Sequence, residues 1–156
     1  MKSTDIIALL TSKGQTLSCA ESLTGGLLSD AFVSVPGASR VFMGGIVSYD
    51  EGRKVSLLGV KPETLEHHTA VSRETCLEMC RGAKKVIGTD YALSTTGYAG
   101  PDGEDVGLVY VGLASPEGET CLECRFAGSR EAIRRAAVEA AVRLLYQKLT
   151  NNQSSY

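Results

Sequence analysis

The chain has 156 residues, of which 43% are hydrophobic and 22% are charged, with a formal net charge of −2 and a pI near 5.7. These ordinary values predict one globular domain over residues 1–156, and they exclude the strongly basic surface that binds nucleic acid or an anionic membrane. No apolar run approaches the ~20 residues of a membrane span, and the N-terminus does not resemble a signal peptide, so a cytoplasmic location is expected.

Hydrophobic periodicity predicts alternating helices and strands along the chain. Helices are expected at residues 4–13, 24–32, 51–57, 62–67, 72–86 and 130–149. Strands are expected at residues 16–20, 41–49, 91–96, 106–114 and 119–126. Residues 97–105 are interpreted as a glycine-rich loop and residues 150–156 as a frayed polar tail.

This order of elements predicts a layered α/β domain with a mixed sheet. Helical crossovers favour parallel pairing, whereas Ser115-Pro116-Glu117-Gly118 is typical of a hairpin and requires one antiparallel strand. Gly44-Gly45, inside the second strand, indicates a bulge or a close approach of another segment.

Five cysteines, an odd number, argue against a closed disulfide framework. Cys121 and Cys124 have CxxC spacing but lie in a predicted strand, where residues three apart point to opposite faces. Cys76 and Cys80 share one face of a predicted helix. A four-thiolate zinc site therefore has poor geometry, and we interpret the cysteines as small buried apolar residues.

Ser22 lies at a strand-to-helix turn, followed by Thr24, Gly25 and Gly26. A hydroxyl at the carboxyl end of a strand lies where open α/β sheets bind ligands. Backbone amides at a helix N-terminus can stabilise an oxyanion or bind phosphate. Serine is also a preferred N-cap, and the spacing alone favours a cap over a nucleophile.

A serine nucleophile requires a base, and the sequence offers two kinds. His67 and His68 are adjacent at the end of a short predicted helix, with no paired aspartate visible, so a Ser-His-Asp triad is not favoured. Lys54 follows Tyr49 by about one helical turn, so the amine and the phenol can reach one pocket. A solvated surface lysine is the alternative interpretation.

The pKa of Lys54 must fall by roughly three units from ~10.4 for the amine to act near neutral pH. Burial, or a neighbouring cation such as Arg53 or Arg130, can lower that pKa. Asp50 and Glu51 lie beside Lys54 in the sequence and are expected to raise it.

Two later segments fit a phosphate site. Residues 95–103 place small residues and glycines after a strand, as in a nucleotide cradle, although they match neither a P-loop nor a dinucleotide fingerprint. Ser129 is expected to cap the last helix, where Arg130 and Arg134 stand close enough to clamp a phosphate. A plain loop and surface arginines are the alternatives.

Taken together and in order, these motifs resemble the CinA C-terminal domain family, which comprises nicotinamide-nucleotide amidases. The resemblance covers roughly residues 5–149. It rests on the segments Ala20-Glu21-Ser22-Leu23-Thr24-Gly25-Gly26, Tyr49 with Lys54, His68-Thr69-Ala70-Val71-Ser72, Gly97-Tyr98-Ala99-Gly100-Pro101-Asp102-Gly103, Val106-Gly107 and Phe126-x-Gly128-x-Arg130.

The resemblance implies a three-layer α/β/α sandwich with a mixed, mostly parallel sheet of about five strands. It implies a homo-oligomer without metal or cofactor that deamidates nicotinamide mononucleotide in pyridine-nucleotide salvage. Ser22 is the implied nucleophile, Lys54 its general base and Tyr49 a partner in the proton network. The implied oxyanion and substrate contacts are Thr24, Gly25, Gly26, Thr96, Gly97, Gly100 and, for the phosphate, Arg130.

The chain departs from the family at Tyr49-Asp50-Glu51, where members often carry Tyr-Ser-Asn. This change replaces an amide with acids close to Lys54. Two alternatives therefore stay open: a non-catalytic nucleotide-binding or interaction module of the same fold, and a Ser-Lys hydrolase acting on another amide. Whether Lys54 or Tyr49 takes the proton is also open. The larger N-terminal domain of some members is not expected here, which fits the free-standing form.

Overall fold

The computed structural model describes the backbone of residues 2–154 and the side chains of residues 2–151. The helices are α1 (Lys2–Lys13), α2 (Leu27–Val33), α3 (Glu51–Leu58), α4 (Pro62–His68), α5 (Arg73–Ala83) and α6 (Arg130–Ser154). The strands are β1 (Leu17–Glu21), β2 (Phe42–Val47), β3 (Tyr91–Gly97), β4 (Leu108–Ser115) and β5 (Gly118–Arg125). A 3₁₀ turn, Ala38–Arg40, precedes β2, and a π-helical turn, Lys84–Gly88, follows α5.

The strands form one sheet in the order β2-β1-β3-β4-β5. β1 pairs in parallel with β2 and β3, because helices return the chain between these strands. β4 pairs antiparallel with β3 and with β5, and the predicted turn joins β4 to β5 as a hairpin. Four of the five strands thus run in one direction, which confirms the predicted mixed sheet with one antiparallel strand.

Helices cover both faces of the sheet, and alternate residues of each inner strand point to opposite faces. Leu17 and Leu93 belong to the core cluster shared with α1, α2 and α6. Ala20 and Ala92 belong to the cluster that includes Met79 of α5. The predicted three-layer α/β/α architecture is therefore confirmed, and the central strands are buried on both sides.

Several element bounds differ from the sequence prediction, including β2, which ends at Val47 rather than at residue 49, and α5, which ends at Ala83 rather than at residue 86. α2 begins at Leu27 rather than Thr24, because Gly25 and Gly26 have φ of +57° and +112° and cannot continue a right-handed helix. α6 continues to Ser154, into the segment predicted to be frayed from residue 150. Residues 155 and 156 lie outside the described range.

The predicted irregularity in the second strand is confirmed. Leu17 pairs with Phe42, whereas Ser18 pairs with Gly44, so β2 contains an extra residue opposite β1. A Cβ at Gly45 would collide with Ser29 Oγ, which shows that the start of α2 packs against the backbone of β2. This close packing fixes the turn before α2 relative to the strands.

Candidate active site

The carboxyl ends of the three parallel strands meet at one edge of the sheet. Ser22 is the first residue after β1, and its amide donates to the carbonyl of Thr95 in β3 at 3.1 Å. Ser48 is the first residue after β2, and its amide donates to the carbonyl of Glu21 at 2.8 Å. These bonds attach both post-strand segments to their neighbours, so the residues that follow them are held close together.

Lys54 and Ser22 are in direct contact at this edge. Lys54 Nζ lies 3.1 Å from Ser22 Oγ and also donates to the carbonyls of Ser48 at 2.7 Å and Tyr49 at 3.2 Å. The side chains are buried, with Ser22 7% and Lys54 1% exposed. The structure thus brings Ser22 and Lys54 together, and the interpretation of Lys54 as a solvated lysine is wrong.

Local structure explains why Lys54 points inward. Asp50 caps α3 by accepting a hydrogen bond from the amide of Arg53 at 2.8 Å, so the helix begins directly after β2. Lys54 and Leu58 are four residues apart on the buried face of α3. The helix therefore places the Lys54 amine beside Ser22, at the carboxyl end of β1.

Burial lowers the pKa of Lys54, while Glu51 and, to a smaller degree, Asp50 oppose the shift. Among the described side chains, no carboxylate forms an ion pair with Lys54. The neutral amine has two N–H groups for the Ser48 and Tyr49 carbonyls and one lone pair for the Ser22 hydroxyl. The geometry therefore suits a proton acceptor beside the hydroxyl.

A neighbouring cation was expected to lower the pKa of Lys54, but burial is the one cause that lowers it. The Arg53 guanidinium faces Asp50 Oδ1 at 3.8 Å on the surface. The Arg130 guanidinium is hydrogen-bonded to Tyr49 and Gly100 instead. As predicted, the acids beside Lys54 raise its pKa, but burial lowers that pKa by more.

Arg130, Tyr49 and Gly100 form a second, exposed group, here called the arginine cluster. Arg130 Nη2 donates to the Tyr49 hydroxyl at 3.1 Å, and Nη1 donates to the Gly100 carbonyl. The Tyr49 side chain is 64% exposed, and within residues 2–151 its hydroxyl makes no hydrogen bond to Ser22 or Lys54. Within these residues the Tyr49 carbonyl is hydrogen-bonded to the Lys54 amine, whereas the phenol is hydrogen-bonded to Arg130.

Glu21 is a functional residue that sequence reasoning missed. Its buried carboxylate accepts five hydrogen bonds, from the Thr24 hydroxyl, the amides of Gly26, Leu28 and Ser29, and the Ser29 hydroxyl. A carboxylate in this position satisfies the open amides at the N-terminus of α2 and interacts favourably with the helix dipole. Glu21 therefore anchors the turn that carries Ser22.

Thr24 supports the same turn from inside. Its hydroxyl donates to Glu21 Oε1 at 2.6 Å and lies 2.8 Å from Thr95 Oγ1. The side chain is fully buried. This position differs from the expected substrate contact, because both hydrogen-bonding directions of the hydroxyl are used within the protein.

The expected oxyanion donors are also engaged. The Gly25 amide donates to the Ser22 carbonyl at 3.1 Å, and the Gly26 amide donates to Glu21 at 3.0 Å. The backbone amides of Leu23 and Thr24, by contrast, donate no hydrogen bond within the described residues. These two amides follow Ser22 directly in the chain, and of the two residues only Thr24 was expected to support an oxyanion.

Thr96 and Gly97 contact protein rather than open space. The Thr96 hydroxyl donates to the Ala70 carbonyl at 2.7 Å, and its side chain is 1% exposed. A Cβ at Gly97 would lie 2.8 Å from the Leu108 carbonyl oxygen, so the glycine permits close pairing with β4. These two residues hold the end of β3 in place, and only Gly100 of the predicted loop residues joins the arginine cluster.

Arg134 lies one turn beyond Arg130 on α6 and is half-buried. Nε donates to the Leu23 carbonyl at 2.7 Å, and Nη2 donates to the Thr24 carbonyl at 3.1 Å. The sequence placed Arg134 as a phosphate clamp, but its guanidinium binds the backbone of the turn. The four-residue spacing from Arg130 was the one signal that the two side chains share a helix face.

The remaining candidates lie away from Ser22. His68 Nδ1 lies 3.7 Å from Glu74 Oε1 on the surface. Cys124 packs in the core on the α6 side, whereas Cys121 contacts Cys76 on the α5 side, as their spacing in a strand predicts. No cluster of three or more metal-ligating side chains occurs in the part of the chain that the structure describes.

Residues 2–149 match the sequence model of the CinA C-terminal domain. The chain belongs to this family. A CinA-like protein of Leptospira borgpetersenii is 45% identical over 146 residues, which are 90% of this chain and 35% of that protein. A CinA-like protein of Myxococcus xanthus is 43% identical over 149 residues and is likewise covered to 35%. This CinA domain thus spans about a third of the length of the curated relatives it matches.

Solved structures support the same assignment. The competence/damage inducible protein CihA of Agrobacterium tumefaciens has a TM-score of 0.92 and 37% identity, covering 96% of this CinA domain and 93% of that chain. A CinA superfamily protein of Klebsiella pneumoniae has a TM-score of 0.92 and 33% identity, with 96% of each chain covered. Of the helices described in this CinA domain, none is long and apolar enough to cross a membrane.

Proposed function

We propose that this CinA domain is an amidase that converts nicotinamide mononucleotide to nicotinic acid mononucleotide and ammonia. The observation that carries the proposal is the 3.1 Å contact between Ser22 Oγ and Lys54 Nζ in a buried position at the carboxyl edge of the sheet. A buried amine without an ion-pair partner is a suitable base for a serine, and family membership supplies the class of substrate.

The reaction follows from these contacts. The Lys54 amine takes the proton of the Ser22 hydroxyl while Oγ attacks the carboxamide carbon. The oxyanion of the tetrahedral intermediate accepts hydrogen bonds from the amides of Leu23 and Thr24. The Lys54 ammonium then protonates the leaving nitrogen, ammonia departs, and an ester on Ser22 remains. Lys54 next takes a proton from water as the water oxygen attacks the ester, and it returns that proton to Ser22 Oγ when the carboxylic acid leaves.

The arginine cluster is the proposed site for the rest of the nucleotide. The exposed Arg130 guanidinium has five N–H donors, of which the Tyr49 and Gly100 contacts use two. The others are available for a phosphate, for which the planar guanidinium is well suited. Tyr49 presents an exposed aromatic surface beside it for a ring of the substrate.

Ammonia release from nicotinamide mononucleotide tests the proposal. We expect turnover by the wild type and loss of about 10³-fold or more in kcat for Ser22→Ala and Lys54→Ala. Ser12→Ala and Lys61→Ala, which change exposed residues elsewhere, are the matched controls. Wild-type rates in Ser22→Ala would refute the nucleophile.

A non-catalytic nucleotide-binding module is the second candidate, because Glu51 and Asp50 favour the charged form of Lys54. Calorimetric binding of nicotinamide mononucleotide with no ammonia release would support this candidate over the amidase. The proposal further includes a homo-oligomer, which follows from the family resemblance, and a cytoplasmic location. Light scattering of the purified protein tests the oligomeric state.

A further inference from the structure

The turn that carries Ser22 depends on how each of its peptide groups is held. A trans peptide is planar, and its carbonyl and amide point in opposite directions. The direction of the Leu23 amide is therefore set by the Ser22 carbonyl, and that of the Thr24 amide by the Leu23 carbonyl. Any group that holds these carbonyls also aims the two amides that donate no hydrogen bond in the described structure.

The Ser22 carbonyl is held within the turn, by the Gly25 amide at 3.1 Å. The Leu23 carbonyl is held from outside, by Arg134 Nε at 2.7 Å. Among the described residues, Arg134 is the single donor to the Leu23 carbonyl. The Thr24 carbonyl has two donors, Arg134 Nη2 at 3.1 Å and the Leu27 amide at 2.9 Å.

The space around Arg134 is shaped for this contact. A Cβ at Gly25 would lie 3.2 Å from Arg134 Nη2, so a larger residue would push against the guanidinium. Two of the guanidinium nitrogens already donate to the turn, and the side chain is half-buried. Arg134 is therefore matched to two backbone carbonyls, whereas Arg130 one turn away keeps donors for a ligand.

We infer that Arg134 is a positioning residue for the reaction at Ser22. By binding the Leu23 carbonyl it turns the Thr24 amide away from α6 and holds it ready to stabilise the oxyanion. Without Arg134, the Leu23 carbonyl loses its external donor, and the peptide between Leu23 and Thr24 is able to rotate. Rotation turns the Leu23 carbonyl, in place of the Thr24 amide, toward the oxyanion. The inference rests on the proposed function, because it assigns Arg134 to the same transition state.

The test compares Arg134→Gln with Arg135→Gln. Arg135 is adjacent on α6, and its exposed guanidinium pairs with Glu131 at 2.9 Å. We expect Arg134→Gln to lower kcat for ammonia release by about 10²-fold, the usual effect of losing one oxyanion donor, with KM changed by less than about threefold. Arg134→Lys is expected to regain part of kcat, since an ammonium can donate to one of the two carbonyls.

A second readout separates this inference from the proposed substrate. A fluorophosphonate reacts at an activated serine: the Oγ–P bond forms, the P–F bond breaks, fluoride leaves and Lys54 takes the hydroxyl proton. The anionic phosphoryl oxygen uses the same amides, so Arg134→Gln is expected to slow labelling of Ser22 by a similar factor. Arg134-dependent labelling in a wild type that leaves nicotinamide mononucleotide intact would refute the substrate and keep the inference.

Three results would overturn the role of Arg134. The first is a kcat and a labelling rate in Arg134→Gln equal to those of Arg135→Gln. The second is a loss confined to KM, which indicates a phosphate ligand. The third is a wild type that neither releases ammonia nor is labelled. If Arg134→Gln does not fold, as judged by thermal unfolding, the folded Arg134→Lys variant is compared with Arg135→Lys by the same measurements.

Discussion

The nucleophile turn, residues 22–26, and the arginine cluster lie at the same edge of the sheet but are built differently. In the turn, the carboxylate of Glu21 and the guanidinium of Arg134 hold backbone groups from two sides, and Ser22 is buried. In the arginine cluster, exposed Arg130 makes single contacts to Tyr49 and Gly100. The difference indicates a rigid centre for bond-making beside an adaptable surface for binding, and substitutions in the two regions should have different effects.

The largest effect is expected from Lys54→Met. The variant should lose about 10³-fold or more in kcat, because the base is removed. Burial lowers the pKa of Lys54 and so penalises its charged form at neutral pH. The variant avoids this penalty but loses the hydrogen bonds to the Ser48 and Tyr49 carbonyls. Ammonia release and urea unfolding measure the two effects.

The sign of the stability effect is tested by pH. The unfolded chain binds the Lys54 proton more tightly than the folded chain, so the wild type should gain stability relative to Lys54→Met as pH rises toward 10.5. Above pH 10.5 the Lys54 amine is neutral in both the folded and the unfolded chain, so burial no longer penalises a charge there. A difference that does not change between pH 7 and the upper end of this window would contradict the pKa shift.

Glu21→Gln should damage the turn itself. One oxygen that accepts amide hydrogen bonds becomes an NH₂ group facing donors, which we expect to cost about 1.5–3 kcal/mol in the free energy of unfolding. The kcat should fall with it, because the turn carries Ser22. Glu63→Gln on the surface of α4 is the control. Wild-type stability in Glu21→Gln would show that the turn does not depend on this carboxylate.

Arg130→Gln should act on binding alone. Loss of charged hydrogen bonds to a phosphate is expected to raise KM by about 10- to 100-fold, with kcat nearly unchanged. The thermal midpoint should not change, because Arg130 is exposed. An effect on kcat as large as that of Arg134→Gln would remove the proposed division between the two regions.

The smallest effect is expected from Glu51→Gln. Glu51 raises the pKa of Lys54, so its neutralisation should move the acidic limb of the kcat/KM profile to lower pH. Glu63→Gln should leave the profile in place. A shift to higher pH in Glu51→Gln would show that Lys54 does not act as the base.

Much of the site could be predicted because its signals are local. Ser22 follows a short buried strand, and Lys54 follows the next strand after a capped helix begins, so parallel topology brings the two together. The residues alone left a helix cap at Ser22, a solvated Lys54, a plain loop at Gly100 and a surface Arg130 as alternatives, and the family resemblance selected the site roles.

The missed contacts depend on how distant elements pack. Nothing near Arg134 in the sequence shows that its guanidinium binds the Leu23 carbonyl, because this contact requires α6 to lie across the turn. A short buried strand likewise gives no sign that Glu21 points at the N-terminus of α2. Helix periodicity extended too far, to Thr24, because the left-handed φ of Gly25 and Gly26 is a backbone property that residue type permits but does not dictate.

Hydroxylamine trapping during turnover tests the central claim most directly, because it reports an acyl group on Ser22. Wild-type protein incubated with nicotinamide mononucleotide and hydroxylamine should form the hydroxamate of the nucleotide, as the nucleophile attacks the ester and frees the serine. Ser22→Ala and Lys54→Ala should form none above background. Ammonia release without hydroxamate, at a rate that Ser22→Ala retains, would contradict the account.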